Sequence, residues 1–550
     1  MIKILDINSS YRKLDCDTAE EAKNIYDYFS IKIPNIEHTP LYKMGNISGK
    51  QHFISKKGEF LYGLKDKIID YCISNNIEYS DETDDEIDNE LNYEDFLEFV
   101  DKLNLPFTAY MHQLNGAYEA IINKRIIIQS FTGSGKSMII YILIRYFMNL
   151  NKRILLLVPR TDLVTQMYDD FNDYFYLKEN KLLKEIENIT DDIEKAKLQI
   201  ELNSIYINRK ELNCIDINKN ISTIYAGQDK YENKLITIST RDSLSINQNR
   251  VSIDYFNSID ILLADEVHRL GAVTSTDITN ACVNADYKIG LTGSLSHDII
   301  ENLKIEGLIG KVKKIISMSE GISLGLATNL IVNPIYLQYN SNIIKDIKKM
   351  NYQEEDKFLR NLEERNKFIA KLALQFKDKN VIIIFKNKDS MESIVRNIVE
   401  LKTPNTKFNL KDYRKENDLK IFISEGATKV TNRNDFRKIL ENSTGNILVA
   451  TDKVITEGTN IKNVHIAIFS RVNKKNTTTI QACGRLVRLH KSKDNAYVYD
   501  LVDDLRYYSK TGREYPNYSY KHFLERLDTY VSEEFEVNEP VKVKLSTDIL

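Results

Sequence analysis

Six residues carry the first chemical signal. Thr132, Gly133, Ser134, Gly135, Lys136 and Ser137 follow the apolar run "RIIIQS" and open the apolar segment "MIIYILIRYF". A strand, a glycine-bearing loop and a helix N-terminus in that order form a cradle for phosphate. The glycines let backbone N–H groups approach an anion with no Cβ in the way. Lys136 then bridges to the terminal phosphate of a nucleotide, and the Ser137 hydroxyl reaches Mg²⁺. Ser130 stands where the Walker A pattern has its first glycine, a position another small residue can fill.

The second signal is "ILLADEVHRL". Asp265 and Glu266 end a buried apolar run, which puts two carboxylates at the C-terminal end of a strand, where α/β sheets bind ligands. Asp265 suits Mg²⁺ held through water, with Glu266 beside it as a further Mg²⁺ candidate. Glu266 also suits orienting and deprotonating an attacking water, and His268 suits sensing the γ-phosphate. A surface Asp-Glu pair is common, but not downstream of a phosphate loop in the same domain. The third signal is "TTTIQACGRLVRLH". Gln481, Arg485 and Arg488 fall at i, i+4 and i+7, one face of a helix expected to begin near Thr479. Guanidiniums aimed at a triphosphate neutralise transition-state charge.

These residues need elements to hold them. From Arg125 onward, short apolar runs alternate with helical stretches: "RIIIQS", "RILLLVP", "LITIST", "DILLADE" and "YKIGLTG", then "NVIIIF", "KIFISE", "NILVAT", "VHIAIF" and "AYVYDLV". Continuous apolar runs between helices indicate parallel strands buried on both faces. Two series predict two α/β domains in tandem, at 104–330 and 331–505, preceded by a small α+β domain (1–80) and an acidic linker (81–103). A short helical tail (506–550) closes the chain. Within the first α/β domain, Leu182, Ile186, Ile189, Ile193, Ala196 and Ile200 space as a helical seam in an insert at about 177–212. The insert reads as one long helix or as a hairpin turning near Thr190.

Composition narrows the class further. With 550 residues the chain exceeds what one core can serve. No apolar run is long enough to span a bilayer and the N-terminus lacks a signal-peptide pattern, so a cytoplasmic protein is expected. Five cysteines with no CxxC pair argue against zinc and disulfides. The net charge is −3, yet residues 81–101 hold eleven acidic side chains and no basic one, which leaves the rest net basic. A mildly acidic total therefore excludes no nucleic-acid partner. The histidines form no ligand cluster and no nuclease-like constellation of carboxylates and lysine stands out.

The motifs and their order resemble the superfamily 2 helicases. "HQLNGAYEAI" is similar to the Q motif, "SFTGSGKS" to motif I, "LLLVPRTDLVTQM" to Ia, "ITISTRDSL" to Ib, "DEVH" to II and "LTGSL" to III. "VIIIFKNKDS" is similar to IV, "VATDKVITEGTNIKNV" to V and "QACGRLVR" to VI. "LYKMGNISGKQHF", "NYQEEDKFLRNLEERNKFIAKLA" and "AYVYDLVDD" narrow the resemblance to the UvsW-type recombination helicases of tailed bacteriophages, over nearly the whole chain. The insert departs from that pattern. Motif III also departs mildly, reading Thr292-Gly293-Ser294.

The resemblance implies two RecA-like domains that close on ATP and Mg²⁺ and translocate along a strand. It implies adenine reading by Gln113 and an ATP contact at Gly458. It further implies backbone-phosphate contacts by Arg160, Thr161, Thr240, Arg241, Lys386 and Thr451. Residues 1–80 would help grip DNA. The implied activity is branched-DNA remodelling: fork regression, junction branch migration and R-loop unwinding, with RNA met inside RNA–DNA hybrids, by a chain that is monomeric when free. The rival readings are a duplex translocase that separates no strands, an RNA helicase, and a scaffold without catalysis.

Overall fold

The computed structural model describes residues 1–34, 36–45, 47–83, 91–226, 232–244, 251–270, 273–296, 298–385, 389–404, 420–424, 430–451, 461–470 and 476–545. They form two compact units, Met1–Ser130 with Gly135–Ile316, and Phe131–Ser134 with Ser317–Leu550.

The first unit is built on a seven-stranded parallel sheet. Its spatial order is Lys311–Ile316, Arg125–Ser130, Tyr287–Thr292, Ile261–Asp265, Ile154–Val158, Ile236–Thr240 and Ile221–Ile224. The central strands are almost wholly buried because helices cover both faces, which is why their sequences run apolar without alternation. The helix Lys136–Asn149 is apolar on every side and buries ten residues from Met138 to Met148. Arg145 goes down with them, donating to the Tyr141 hydroxyl at 3.1 Å beneath the Phe175 ring.

The insert is a hairpin. One helix runs from Thr161 to Asn188 and a second from Asp192 to Glu211. Asp191 breaks the run by accepting from the Ile193 and Glu194 N–H groups at 2.9 and 2.8 Å, an N-cap where a continuous helix would have none. Leu182 and Ile186 pack with Leu198, Leu202 and Ile205. Ile193 and Ile200 lie outside that seam, 72% and 69% exposed. The expected single stripe therefore splits, because the turn rotates the second helix about its axis. Arg209 pins the hairpin, pairing with Glu179 at 2.6 Å over the Phe175 ring at 3.9 Å.

Residues 1–82 carry their own four-stranded sheet, ordered Glu59–Leu61, Tyr11–Cys16, Ile2–Asp6 and Tyr79–Glu82. Its core takes in Ile300 and Leu303 from the helix Ile299–Leu308 of the neighbouring α/β layer. Gly63 permits the contact, since a Cβ there would fall 1.8 Å from the Glu306 carbonyl oxygen. Lys67 pairs with Glu306 at 2.9 Å, and the Tyr62 ring lies between the guanidiniums of Arg12 and Arg125. The stretch read as an acidic linker is folded at both ends. Tyr79–Glu82 is a strand, its polar side chains having hidden it, and Tyr93–Lys102 is a helix that buries Phe96 and Val100 at i and i+4.

The second unit repeats the parallel design. Its sheet runs Ile421–Ser424, Ile447–Thr451, Val381–Phe385, Ile466–Phe469, Asn495–Asp504 and Asn329–Gln338. Both Glu536–Val537 and Val541–Lys544 pair in parallel with Asn329–Gln338. The C-terminal tail therefore adds strands as well as the expected helix, Tyr518–Ser532. Two buried ion pairs tie the layers: Arg365 with Asp503 and Arg526 with Asp500, each at 2.7 Å. The break from the first unit comes at Ser317, ahead of Leu330. Ser317 caps the helix Met318–Ser323, which leads into the strand Asn329–Gln338.

Candidate nucleotide and nucleic-acid sites

In the first unit the strands are parallel, so the loops after Ser130, Val158, Thr240, Asp265 and Thr292 all leave from one edge of the sheet. Those loops carry motifs I, Ia, Ib, II and III. In the phosphate loop both glycines lie in the left-handed region, Gly133 at φ 103° and Gly135 at φ 83°. Gly135 has a second reason to lack a Cβ, because one would fall 2.3 Å from the Gln113 amide nitrogen. Gln113 is placed there by its own helix, Met111–Asn123, where its Oε1 accepts from the Tyr110 N–H at 2.9 Å. The Q-motif glutamine and Gly135 are thus held together inside one unit.

Lys136 begins the helix and donates from Nζ to the Ser130 carbonyl at 3.5 Å. Its charge also acts on both carboxylates of the second motif. Burial, followed by the neighbouring Glu266 charge, pushes Asp265 up to about 7. Burial would raise Glu266 as well, but Lys136 and His268 together hold it down at about 2. One carboxylate of the pair stays ionised and the other is protonated easily, as expected of two adjacent acids with too little countercharge. Glu266 sits at φ 50°, a left-handed turn that swings its side chain off the strand axis. For a residue with a side chain this conformation costs about 1–2 kcal/mol.

His268 joins motifs II and III. Its Nδ1 lies 3.0 Å from Thr292 Oγ1 and 3.3 Å from Glu266 Oε2. Thr292 donates to the Ser294 carbonyl at 2.8 Å, so the motif III hydroxyl orients the histidine. Motif Ib reaches motif II by a separate route, from Arg241 Nη1 to the Arg269 carbonyl at 2.8 Å. Thr240 is buried with its hydroxyl on Ser243 Oγ, Arg160 forks onto Asp162, and Thr161 is exposed at the start of its helix.

The sequence gives no hint of Tyr174. It lies on the long helix Thr161–Asn188 and places its hydroxyl 2.9 Å from Ser137 Oγ. Only the tertiary packing of that helix brings the two together. A divalent metal fits this neighbourhood. Asp265 Oδ1 is buried with no hydrogen-bond partner, and the Ser137 hydroxyl is a hard oxygen. Among the described residues no group of three or more His, Cys, Asp or Glu could hold a metal.

In the second unit Gln481 and Arg485 lie on the helix Asn476–Leu486. Arg488 lies past its end, which corrects the one-helix expectation for all three. The helix stops because its carbonyls are taken by other groups. Lys493 Nζ donates to the Leu486 carbonyl at 2.5 Å, the Thr328 N–H to Val487 at 2.6 Å and the Thr328 hydroxyl to Arg488 at 3.3 Å. Burial, helped by the charge of Arg437 and opposed by Glu441, pushes Arg488 down to about 10. Thr451 ends a central strand, half-buried. Lys386 and Gly458 lie outside the described residues.

Known proteins carry the same organisation. Residues 112–297 match the family described as type III restriction enzyme, res subunit, and residues 364–490 match the helicase conserved C-terminal domain. The chain is a superfamily 2 helicase. Over 549 residues it is 28% identical to the ATP-dependent DNA helicase uvsW of Enterobacteria phage T4, covering 97% of this chain and 98% of that one. The crystal structure of T4 UvsW is similar at TM-score 0.46 and 24% identity, with 99% of this chain and 100% of that one covered. A second structure of the UvsW helicase from bacteriophage T4 covers 57% of this chain and 99% of its own, at TM-score 0.45 and 22% identity. The chain is thus an ATP-dependent enzyme related to that phage helicase. No helix among the described residues is long and apolar enough to cross a membrane.

Proposed function

We propose that this helicase remodels branched DNA, regressing forks, migrating junctions and unwinding R-loops. The observation that carries the reading is the extent of the match to the phage DNA helicase. It continues through residues 1–80 and the C-terminal tail, which lie outside both family matches.

The chemistry follows from the side chains. The N–H groups of residues 132–137 and the helix N-terminus take the phosphates of ATP, with Gln113 positioned for the base. Lys136 exchanges the Ser130 carbonyl for phosphate oxygens. Glu266, kept ionised by Lys136 and His268, orients and deprotonates the attacking water. Ser137 and Asp265 would hold Mg²⁺, which when bound supplies charge to the leaving phosphates. Gln481, Arg485 and Arg488 answer the charge that develops on the transferred phosphoryl group. Arg160, Thr161, Thr240, Arg241, Lys386 and Thr451 contact the sugar-phosphate backbone. Contacts of that kind position a strand and carry no base information, as a motor that acts on any sequence requires. Thr240 must first release Ser243, so its contact belongs to a rearranged loop.

The test is ATP hydrolysis by the pure protein with single strands, duplex, fork, four-way junction and R-loop, with strand displacement measured on each. Stimulation and displacement on the branched substrates are expected. Stimulation by plain duplex with no displacement would instead establish a translocase, and preference for RNA duplexes an RNA helicase.

A further inference from the structure

At the far edge of the second unit the C-terminal tail completes a cleft of about 550 Å³, within the range of about 300–1,000 Å³ typical of ligand sites. It opens where the strands Asn329–Gln338, Asn495–Asp504 and Val541–Lys544 end, between Tyr339, Asn340, Arg506, Tyr508, Lys542 and Lys544. Every strand of this sheet is parallel to its neighbours, so these ends share an edge with the end of Ile447–Thr451. The cleft thus extends the edge that carries motifs IV and V.

Its charges divide into two sets. Arg506 is satisfied by protein, forking onto Asp504 at 2.7 and 2.8 Å and reaching Glu514 at 2.9 Å. Asp504 and Glu514 share that one positive charge, so these three groups keep a net −1, and Lys542 and Lys544 bring the five to +1. Lys542 and Lys544 form no ion pair within the described residues, and the two-residue period of the strand sets both on one face. Val543, between them, packs toward the core of the unit. Tyr508 is 64% exposed, with its hydroxyl anchored to Glu514 at 2.9 Å and its ring uncovered. Paired cations beside a fixed, bare aromatic ring are what a single strand needs: phosphates on the lysines and a base on the ring.

We propose that this cleft is a further binding site for single-stranded nucleic acid, holding the strand beyond the motor contacts. It rests on the helicase reading above and adds a site that the helicase motifs do not contain.

The test uses the full chain and fluorescein-labelled oligo-dT of increasing length, read by anisotropy at several salt concentrations. For long oligonucleotides Lys542→Ala/Lys544→Ala should bind about tenfold more weakly, with a salt slope shallower by about 1.4. Affinity for the shortest oligonucleotides and the basal ATPase should not change. Tyr508→Ala should lose about tenfold on long strands and Tyr508→Phe should lose much less, since it keeps the ring and gives up only the anchor to Glu514. If wild-type protein binds and these variants match it at every length, the cleft is not a site and the helicase reading stands. A loss equal at all lengths would overturn the separate site in favour of a general charge effect. Wild-type protein that binds no oligonucleotide would overturn the helicase reading and this inference with it.

Discussion

The two α/β units share a sheet design but treat their charged groups differently. In the first, the Lys136 charge acts on Asp265 and Glu266 of motif II, and His268 contacts Thr292 of motif III. Arg241 of motif Ib donates to the Arg269 carbonyl beside motif II, so the motifs form one connected set. In the second, two arginines are matched completely. Arg365 and Arg526 are buried on Asp503 and Asp500 with good geometry, while Arg488 has only the charge of Glu441 to set against burial and Arg437. A fully paired buried arginine is part of the architecture. One left short of countercharge, as Arg488 is, fits the phosphate-facing role proposed for it above.

Substitutions can break that contrast, and the largest effect belongs to the connected set. Lys136→Ala should lower ATP turnover by at least about 10³-fold, with DNA binding retained in an anisotropy assay. Normal turnover would remove the phosphate-loop assignment. Glu266→Gln should lower turnover by about 10²–10⁴-fold and leave nucleotide affinity near wild type. An equal loss of affinity would mean that Glu266 binds ATP instead of activating water.

The arginines should then separate by readout. Arg365→Ala strands Asp503 in the core and should destabilise the second unit by about 3–5 kcal/mol, seen as a lower unfolding midpoint. Arg488→Ala should leave that midpoint unchanged or higher and reduce kcat much more than ATP affinity. Matching stability losses in the two variants would erase the distinction between paired and underpaired arginines.

A buried cation in the first unit sharpens the comparison from the opposite side. Lys288 is fully buried, donating to Ser10 Oγ and the Thr279 carbonyl at 2.9 Å each, and burial with the nearby Arg125 pushes it down to about 7. The unfolded chain holds that proton up to an ordinary lysine value. Between pH 7 and 10 it therefore binds more protons than the folded chain, and stability from this group rises with pH. The burial cost is fully present below about pH 7. Relative to Lys288→Met, wild-type protein should gain on the order of 3 kcal/mol between pH 7 and 10, read from the two unfolding midpoints. A gap that does not change with pH would place the proton on Lys288 throughout.

Legibility in the sequence followed the range of the interaction. All ten apolar runs are strands, and in the first unit the phosphate-loop residues and the Asp265-Glu266 pair stand at the ends of theirs, because both signals are local. The edge strand Lys311–Ile316 was hidden by its alternating lysines, and Val541–Lys544 by its distance from the strand it pairs with. The end of the motif VI helix was illegible for the same reason. Thr328 and Lys493 set it, and neither residue is in the motif. The hairpin turn was one of two readings, and Asp191, a local cap, decided it.

Tyr174 is the extreme case of such a contact and carries the smallest expected effect. For Ser137 Oγ to offer a lone pair to a metal, its proton has to point elsewhere, and the Tyr174 oxygen at 2.9 Å can accept it. A net hydrogen bond of this kind contributes about 0.5–1.5 kcal/mol. Tyr174→Phe should therefore raise the Mg²⁺ concentration for half-maximal ATPase by about two- to tenfold, with kcat at saturating Mg²⁺ unchanged. In a Ser137→Ala background the same substitution should do nothing, since the hydroxyl it orients is gone. Additive effects in the double variant would show that Tyr174 acts on the packing of its helix and not through Ser137. The paired groups of the first unit would then be structural at this position, and the contrast with the second unit would rest on Lys136, His268 and Arg241.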